Sequence, residues 1–290
     1  MPATAAAKER DSGVVIIQVV GNPRAQDRNR QGIGTWGPPV ASVGDRTAIE
    51  PLAGHVAAPF SASRFKATQM TPKAVLFDID GTLVDSNDHH VRAWADAFRE
   101  VGASFDDQVI HDQIGKGADM LVPTLLPDAD EAAQEKLGDA HGRAFKHNYI
   151  SQVAVFPGAR ELLRRVHNAG QRVVLASSAS NDELDHYLDL LDVRDIVSAT
   201  TSADDVAHTK PAPDIFAAAL KKVAPLTAQE VMVVGDTPYD VQAAGKCGIA
   251  AIAVRSGKFT DDALREAGAV ALYDDVAALL AGFDASPLAR

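Results

Sequence analysis

The sequence predicts an α/β protein, a parallel sheet with helices on both faces and an inserted helical block near its start. Three observations predict it. Short apolar runs that stop abruptly in polar residues read as strands buried on both faces: 74–78 (AVLFD), 172–177 (RVVLAS), 231–236 (VMVVGD) and 250–254 (AAIAV). Stretches with helical periodicity alternate with them, as parallel pairing requires. Between residues 87 and 152 the strands disappear and only helical patterns remain.

Taken in order, residues 1–70 mix Gly, Pro, Arg and Asn without a sustained period, so a disordered or dispensable leader is expected there. The first convincing strand follows Met70, which suggests that the functional unit starts near that residue. The chain next turns at "DIDGT", then enters "HHVRAWADAFREVG" and "ADEAAQEKLGDAHGRAFKHNYI", both helical in pattern. "GARELLRRVHNAG" reads as a helix stopped by Gly170, and "NDELDHYLDLL" as one capped by Asn181. Strands over 195–200 and 269–273, with helices from "PDIFAAALKKV" and "YDVQAAGKCG", complete the pattern. The expected layout is a core of 71–86 and 153–282, with 87–152 as an inserted helical cap.

The composition excludes several functions. The 290 residues carry a formal charge of −11, and residues 71–290 hold 20 Lys and Arg against 34 Asp and Glu. Such a surface repels phosphate backbones, so no nucleic-acid partner is expected. The apolar run 14–20 is too short to span a bilayer and lacks a basic leader, so neither membrane association nor secretion is expected. One cysteine, Cys247, rules out an internal disulfide and reads as a packing residue. The location read from this is cytoplasmic.

Four of the strand ends and adjoining loops carry chemistry. Asp78 and Asp80 stand two residues apart in extended chain, so both carboxylates point to one side and repel each other unless something holds them. Ser177 follows the second strand, Lys210 sits in "HTKPAPD", and Asp236 and Asp240 fall in "GDTPYD". Each has an ordinary alternative: an Asx turn, a cap serine, a solvated lysine, a helix cap. Together, at the C-terminal ends of a parallel sheet, they would converge on one crevice. Four carboxylates there call for a hard divalent cation such as Mg²⁺. A hydroxyl and an ammonium beside that cation suit a phosphoryl group.

The ordered set "DIDGT", "ASS", "KPAPD" and "GDTPYD" resembles the four motifs of the haloacid dehalogenase superfamily, over roughly residues 73–280. Within it, the pattern is similar to the phosphoglycolate phosphatase and β-phosphoglucomutase subfamily, and "VFPGARELL" resembles the return from cap to core. The resemblance implies a Rossmann-like core and a Mg²⁺-dependent phosphatase acting on a small phosphorylated metabolite. By motif position, Asp78 is the nucleophile that becomes an aspartyl-phosphate. Asp80 is the acid and base, with its backbone carbonyl on the metal. Ser177 binds the transferring phosphoryl, and Lys210 offsets charge. Asp78, Asp80, Asp236 and Asp240 form the metal set, while Thr82, His90, Lys116 and Ser178 are candidate substrate contacts. "GKGADM" (115–120) is expected as a cap loop facing the substrate.

A phosphomutase is the alternative, because "HHVRAW" is similar to a run in β-phosphoglucomutases, and that resemblance implies that His90 lies at the hinge of cap and core and helps hold the catalytic acid in place. Against it, Lys146 stands one residue from the mutase's phosphate-binding lysine, which on a helix swings the side chain by about 100°. A dehalogenase would lack Asp80, and an inactive scaffold would lack one of the motif residues. The expected assembly is a monomer or homodimer.

Overall fold

The computed structural model describes residues 71–290, so the expected leader lies outside the described residues. Six parallel strands form the sheet: β1 (Ala74–Phe77), β4 (Arg172–Ala176), β5 (Val197–Thr201), β6 (Val231–Gly235), β7 (Ala250–Val254) and β8 (Ala271–Tyr273), in the order β5-β4-β1-β6-β7-β8. β1 pairs with β4 on one side and β6 on the other, with Phe77 opposite both Leu175 and Val234. The strand order reverses around β1, and the crevice beyond its C-terminal end is where such sheets take ligands.

Every residue of β1 is buried, which explains why its sequence shows no alternation. Val75 and Phe77 face the layer containing α5 (Ala159–Asn168), α6 (Asn181–Leu191) and α10 (Val276–Ala281). Ala74 and Leu76 face the opposite layer, with α7 (Asp214–Lys222), α8 (Pro238–Lys246) and α9 (Asp261–Glu266). Fully burying a side chain such as Phe77 contributes about 1.5–3 kcal/mol.

Between β1 and β4 the chain leaves the sheet. β2 (Val84–Asp85) pairs antiparallel with β3 (Ala154–Val155), so the outgoing and returning strands are clasped by one short ribbon. Beyond it lie α1 (Asn87–Glu100), α2 (Asp107–His111), α3 (Ala118–Leu125) and α4 (Glu131–Asn148), packed around their own core of Trp94, Phe98, Ile110, Leu121 and Leu137.

Several expectations need correction. The loop expected over 115–120 ends at Gly117, because Ala118 opens α3. Pro123 sits inside that helix, and a proline there hides the period. The expected strands at 195–200 and 269–273 shorten at their starts to Val197 and Ala271. The cap of α6 is Ser180, not Asn181: its hydroxyl receives the Glu183 N–H while the Glu183 carboxylate receives the Ser180 N–H. Ser-x-x-Glu is the sequence signal of that reciprocal cap.

Ser180→Ala should therefore cost about 0.5–2 kcal/mol of stability, read as a lower denaturant midpoint at unchanged m-value. An unchanged midpoint would mean that the cap does not hold α6.

Candidate active site

The site grows from the ends of β1 and β6. Asp78 follows the last residue of β1, and its N–H donates to the Val234 carbonyl at 2.9 Å, continuing the ladder. Asp236 follows β6, one residue beyond the position beside Asp78. Asp240 lies in the first turn of α8, whose cap is Thr237. The Asp240 carboxylate does two jobs. Oδ2 accepts from the Thr237 N–H at 3.1 Å and from its hydroxyl at 2.6 Å. Oδ1 lies 2.7 Å from the Lys210 ammonium.

Asp78, Asp236 and Asp240 are all buried, and each offers an oxygen within 4.8 Å of the others. One cation, Lys210, serves two of them, Asp78 and Asp240. Lys210 is 1% exposed and donates to Asp78 Oδ1 and, at 3.2 Å, to the Ala176 carbonyl. Thr82 is fully buried, its hydroxyl 3.1 Å from Asp78 Oδ2 and 3.0 Å from Asp236 Oδ1. It thus faces the carboxylates beneath the site, not the cavity. Asn87 donates to Asp236 Oδ2 at 2.9 Å. Gly81 is required by space: a Cβ there would come within 2.1 Å of Asp236 Oδ2, and its φ of +77° suits glycine.

The electrostatics show the strain of this packing. Burial pushes the Asp78 carboxyl up to about 7 against the pull of the Lys210 ammonium, and Asp240 and Asp80 add repulsion. Burial, Asp78 and Asp240 hold Asp236 well above the ordinary carboxylate range. Burial alone would lower Lys210, but Asp240 and Asp78 outweigh it and keep the ammonium charged. The donor set is oxygen only, rigid and short of positive charge. It fits a hard divalent cation.

Asp80 is held differently. Its Oδ1 accepts from Ser86 at 2.7 Å, Tyr187 at 2.9 Å and His90 Nε2 at 3.1 Å, while Oδ2 accepts from Ser177 at 3.2 Å. Burial would raise this carboxyl, yet His90 and the hydroxyl donors bring it down to about 2. Asp80 in this arrangement is an anion at neutral pH. His90, a candidate substrate contact that the resemblance also sets beside the catalytic acid, bonds Asp80 and stacks on Phe145 with ring centroids 3.9 Å apart. Its Nδ1 lies 3.2 Å from His141 Nε2.

A cavity of about 700 Å³ opens above Asp78 and Asp80, floored by the core loops and roofed by α3, α4 and the loop before α3. Ser177 and Ser178 line it, and the Ser178 hydroxyl donates to the Gly115 carbonyl at 3.3 Å. Lys116 lines it too, but its ammonium is engaged by Gln113 at 2.6 Å and sits 4.6 Å over the Tyr239 ring. Lys146, expected to turn away, borders the cavity with its ammonium 3.0 Å from Asp182.

Sequence reading missed several residues here, Ser86 and Asn87 among them. Tyr187 lay hidden as one apolar position of α6. Asp119 and Thr209 join the roof to the core: the Thr209 N–H donates to Asp119 Oδ2 at 2.9 Å, and the Gly117 N–H donates to the Thr209 hydroxyl at 2.8 Å. The position of Thr209 beside Lys210 was the only available signal.

The model of the haloacid dehalogenase-like hydrolases matches residues 75–254. The Arabidopsis thaliana protein SUPPRESSOR OF QUENCHING 1, chloroplastic, is 33% identical over 70% of this chain, which spans only 20% of that longer relative. A phosphoglycolate phosphatase of Rhodospirillum rubrum is 27% identical, covering 72% of this chain and 89% of its own. Among solved structures, a hydrolase from Pseudomonas syringae superposes with a TM-score of 0.69 at 30% identity, over 73% of this chain and 98% of that one.

Two outcomes follow from the electrostatics. Tyr187→Phe removes a donor to the Asp80 anion, so the pH profile of kcat should move to higher pH; an unmoved profile would separate Tyr187 from the titrating group. In metal-free protein, Asp78 ionises in the unfolded chain from pH 3.8 but in the folded one only near 7. Its folded pKa is raised, so stability should fall as pH rises through that window, and Asp78→Asn should flatten the fall. A parallel pH dependence in both proteins would contradict the raised carboxyl.

Proposed function

The chain belongs to the haloacid dehalogenase-like hydrolases, and on that footing we propose that it is a Mg²⁺-dependent phosphatase that hydrolyses a small phosphate monoester. The observation that carries this reading is the buried group of Asp78, Asp236, Asp240 and Lys210 at the strand ends, opening into one cavity. The similar phosphoglycolate phosphatase supports the reaction class.

Asp78, Asp236 and Asp240, with the Asp80 backbone carbonyl, would hold the Mg²⁺. That ion supplies charge neutralisation for the phosphoryl oxygens. An Asp78 carboxylate oxygen attacks phosphorus in line, giving an aspartyl-phosphate, and the ester oxygen leaves with a proton. Water then attacks phosphorus and restores Asp78. The Lys210 ammonium holds Asp78 in place and compensates charge as the phosphoryl arrives. Ser177 and its neighbouring loop bind the phosphoryl oxygens.

Asp80 moves the proton in both steps. To deliver one to the leaving oxygen it must first lose part of the set of donors that favours its anion, Tyr187, Ser86 and His90. As held, it is ready to accept the proton of the attacking water. Proton transfer of this kind is worth about 10²–10⁴-fold. Closing the roof over the site, through Asp119 and Thr209, excludes water from the first step.

Hydrolysis is favoured over the mutase alternative because Lys146, the lysine nearest the mutase's phosphate-binding position, is already paired with Asp182. The proposal extends to a cytoplasmic location and a monomer or homodimer.

Asp78→Asn should lower turnover by at least about 10³-fold, since an amide cannot form the acyl-phosphate. EDTA should silence the wild type and Mg²⁺ restore it, with Ca²⁺ a poor substitute because it prefers more ligands at longer distances. Phosphate release that survives either Asp78→Asn or EDTA would reject this mechanism.

A further inference from the structure

The cavity above Asp78 encloses about 700 Å³, within the roughly 300–1,000 Å³ that holds drug-sized ligands. A two-carbon acid phosphate would leave most of it to water. One wall is α4, where Gly138, Gly142 and Lys146 follow at intervals of four residues, share a face and border the cavity.

The two glycines serve different ends. A Cβ on Gly138 would come within 2.8 Å of the Ala118 Cβ, so this glycine lets α3 approach α4. A Cβ on Gly142 would meet nothing within 4 Å. Glycine in a helix interior is less favourable than alanine, and packing gives Gly142 no reason to be there. Its missing side chain leaves the cavity wall open.

The charge of the lining narrows what could fill that space. Asp139, Glu183 and Asp204 line it, and the last two also accept one backbone N–H each, from Ser180 at 3.0 Å and Asn181 at 2.8 Å, which leaves their other oxygens as acceptors. Two of the cations that line it are paired with acids, Lys146 with Asp182 at 3.0 Å and Arg143 with Glu100 at 3.7 Å, while Lys116, in the loop before α3, bonds the neutral Gln113 at 2.6 Å. Along α4, a second carboxylate on the substrate would meet like charge beside two cations that already have acidic partners. Hydroxyl groups, in contrast, can donate to these acids.

We infer that Gly142 is a specificity-determining residue, whose open position on α4 admits the body of a hydroxyl-rich phosphate monoester of hexose size in preference to a phosphate ester bearing a second anionic group. The inference rests on the phosphatase reading above, and it adds the class of substrate and the residue that selects it.

The test uses the full chain with Mg²⁺ and follows phosphate release from p-nitrophenyl phosphate, phosphoglycolate and glucose 6-phosphate. The wild type should show a higher kcat/KM for glucose 6-phosphate than for phosphoglycolate. Gly142→Leu should cut that ratio by about 10–100-fold, the range set by misfit of a few methylene groups. Gly142→Ala should raise Tm by about 2–4 °C, as helix propensity dictates where no contact is disturbed. Gly245→Ala, at an exposed glycine of α8 with nothing near its Cβ position, should raise Tm similarly and leave the ratio unchanged. A wild type that prefers phosphoglycolate, a Gly142→Leu variant that loses both activities equally, or a lower Tm for Gly142→Ala would each overturn the inference. No release from any ester, p-nitrophenyl phosphate included, would overturn the phosphatase reading and this inference with it.

Discussion

Three carboxylates buried around a single ammonium are the constraint on which the site depends. Asp78, Asp236 and Asp240 are each at most 5% exposed, and Lys210 is the cation that meets two of them, Asp78 and Asp240. Burial raises the cost of every negative charge there, and mutual repulsion raises it again. Such a cluster survives folding only because its neighbours are arranged around it. Thr82 sits between two of the acids, Asn87 donates to a third oxygen, and the α8 cap absorbs one oxygen of Asp240. The remaining deficit of positive charge is what a divalent cation and a phosphate ester would resolve together.

The sheet makes this crowding possible. Pairing β1 to both β4 and β6 brings Asp78, Ser177 and Asp236 to one end of the sheet, because the chain ends of adjacent parallel strands lie side by side. The β2–β3 clasp then sends the helical block out and back through one narrow ribbon. That block returns His90 and Asn87 to the core at its entry, and Gly117 and Asp119 at its roof. Asp80 faces this second set of partners and not Lys210. Two aspartates separated by one residue therefore live in opposite regimes, Asp78 lifted toward neutrality and Asp80 held as an anion.

Much of this was legible in the sequence, because the strongest signals are local. Strands buried on both faces appear as unbroken apolar runs, and the polar residues that end them announce the crevice. What escaped was nonlocal or disguised. Tyr187 looks like core from its spacing, and it is core, but its hydroxyl reaches Asp80 across more than a hundred residues of chain. Asp119 and Thr209 meet only after the block folds back. The shift of the α6 cap from Asn181 to Ser180 is a smaller matter, since Ser-x-x-Glu was present and Asn181 simply stood nearer the apolar run. Pro123 concealed α3 by breaking the pattern that would have revealed it.

Calorimetric titration of metal-free protein with Mg²⁺ near pH 7, repeated in buffers of different ionisation enthalpy, tests the central claim most directly. If buried carboxyls retain protons for want of positive charge, Mg²⁺ must displace them, and the apparent binding enthalpy will change with the buffer in the sense of proton release. Release should shrink at pH 9, where Asp78 is already ionised, and in Asp78→Asn. Binding with no buffer dependence near pH 7, or no Mg²⁺ binding at all, would contradict the account.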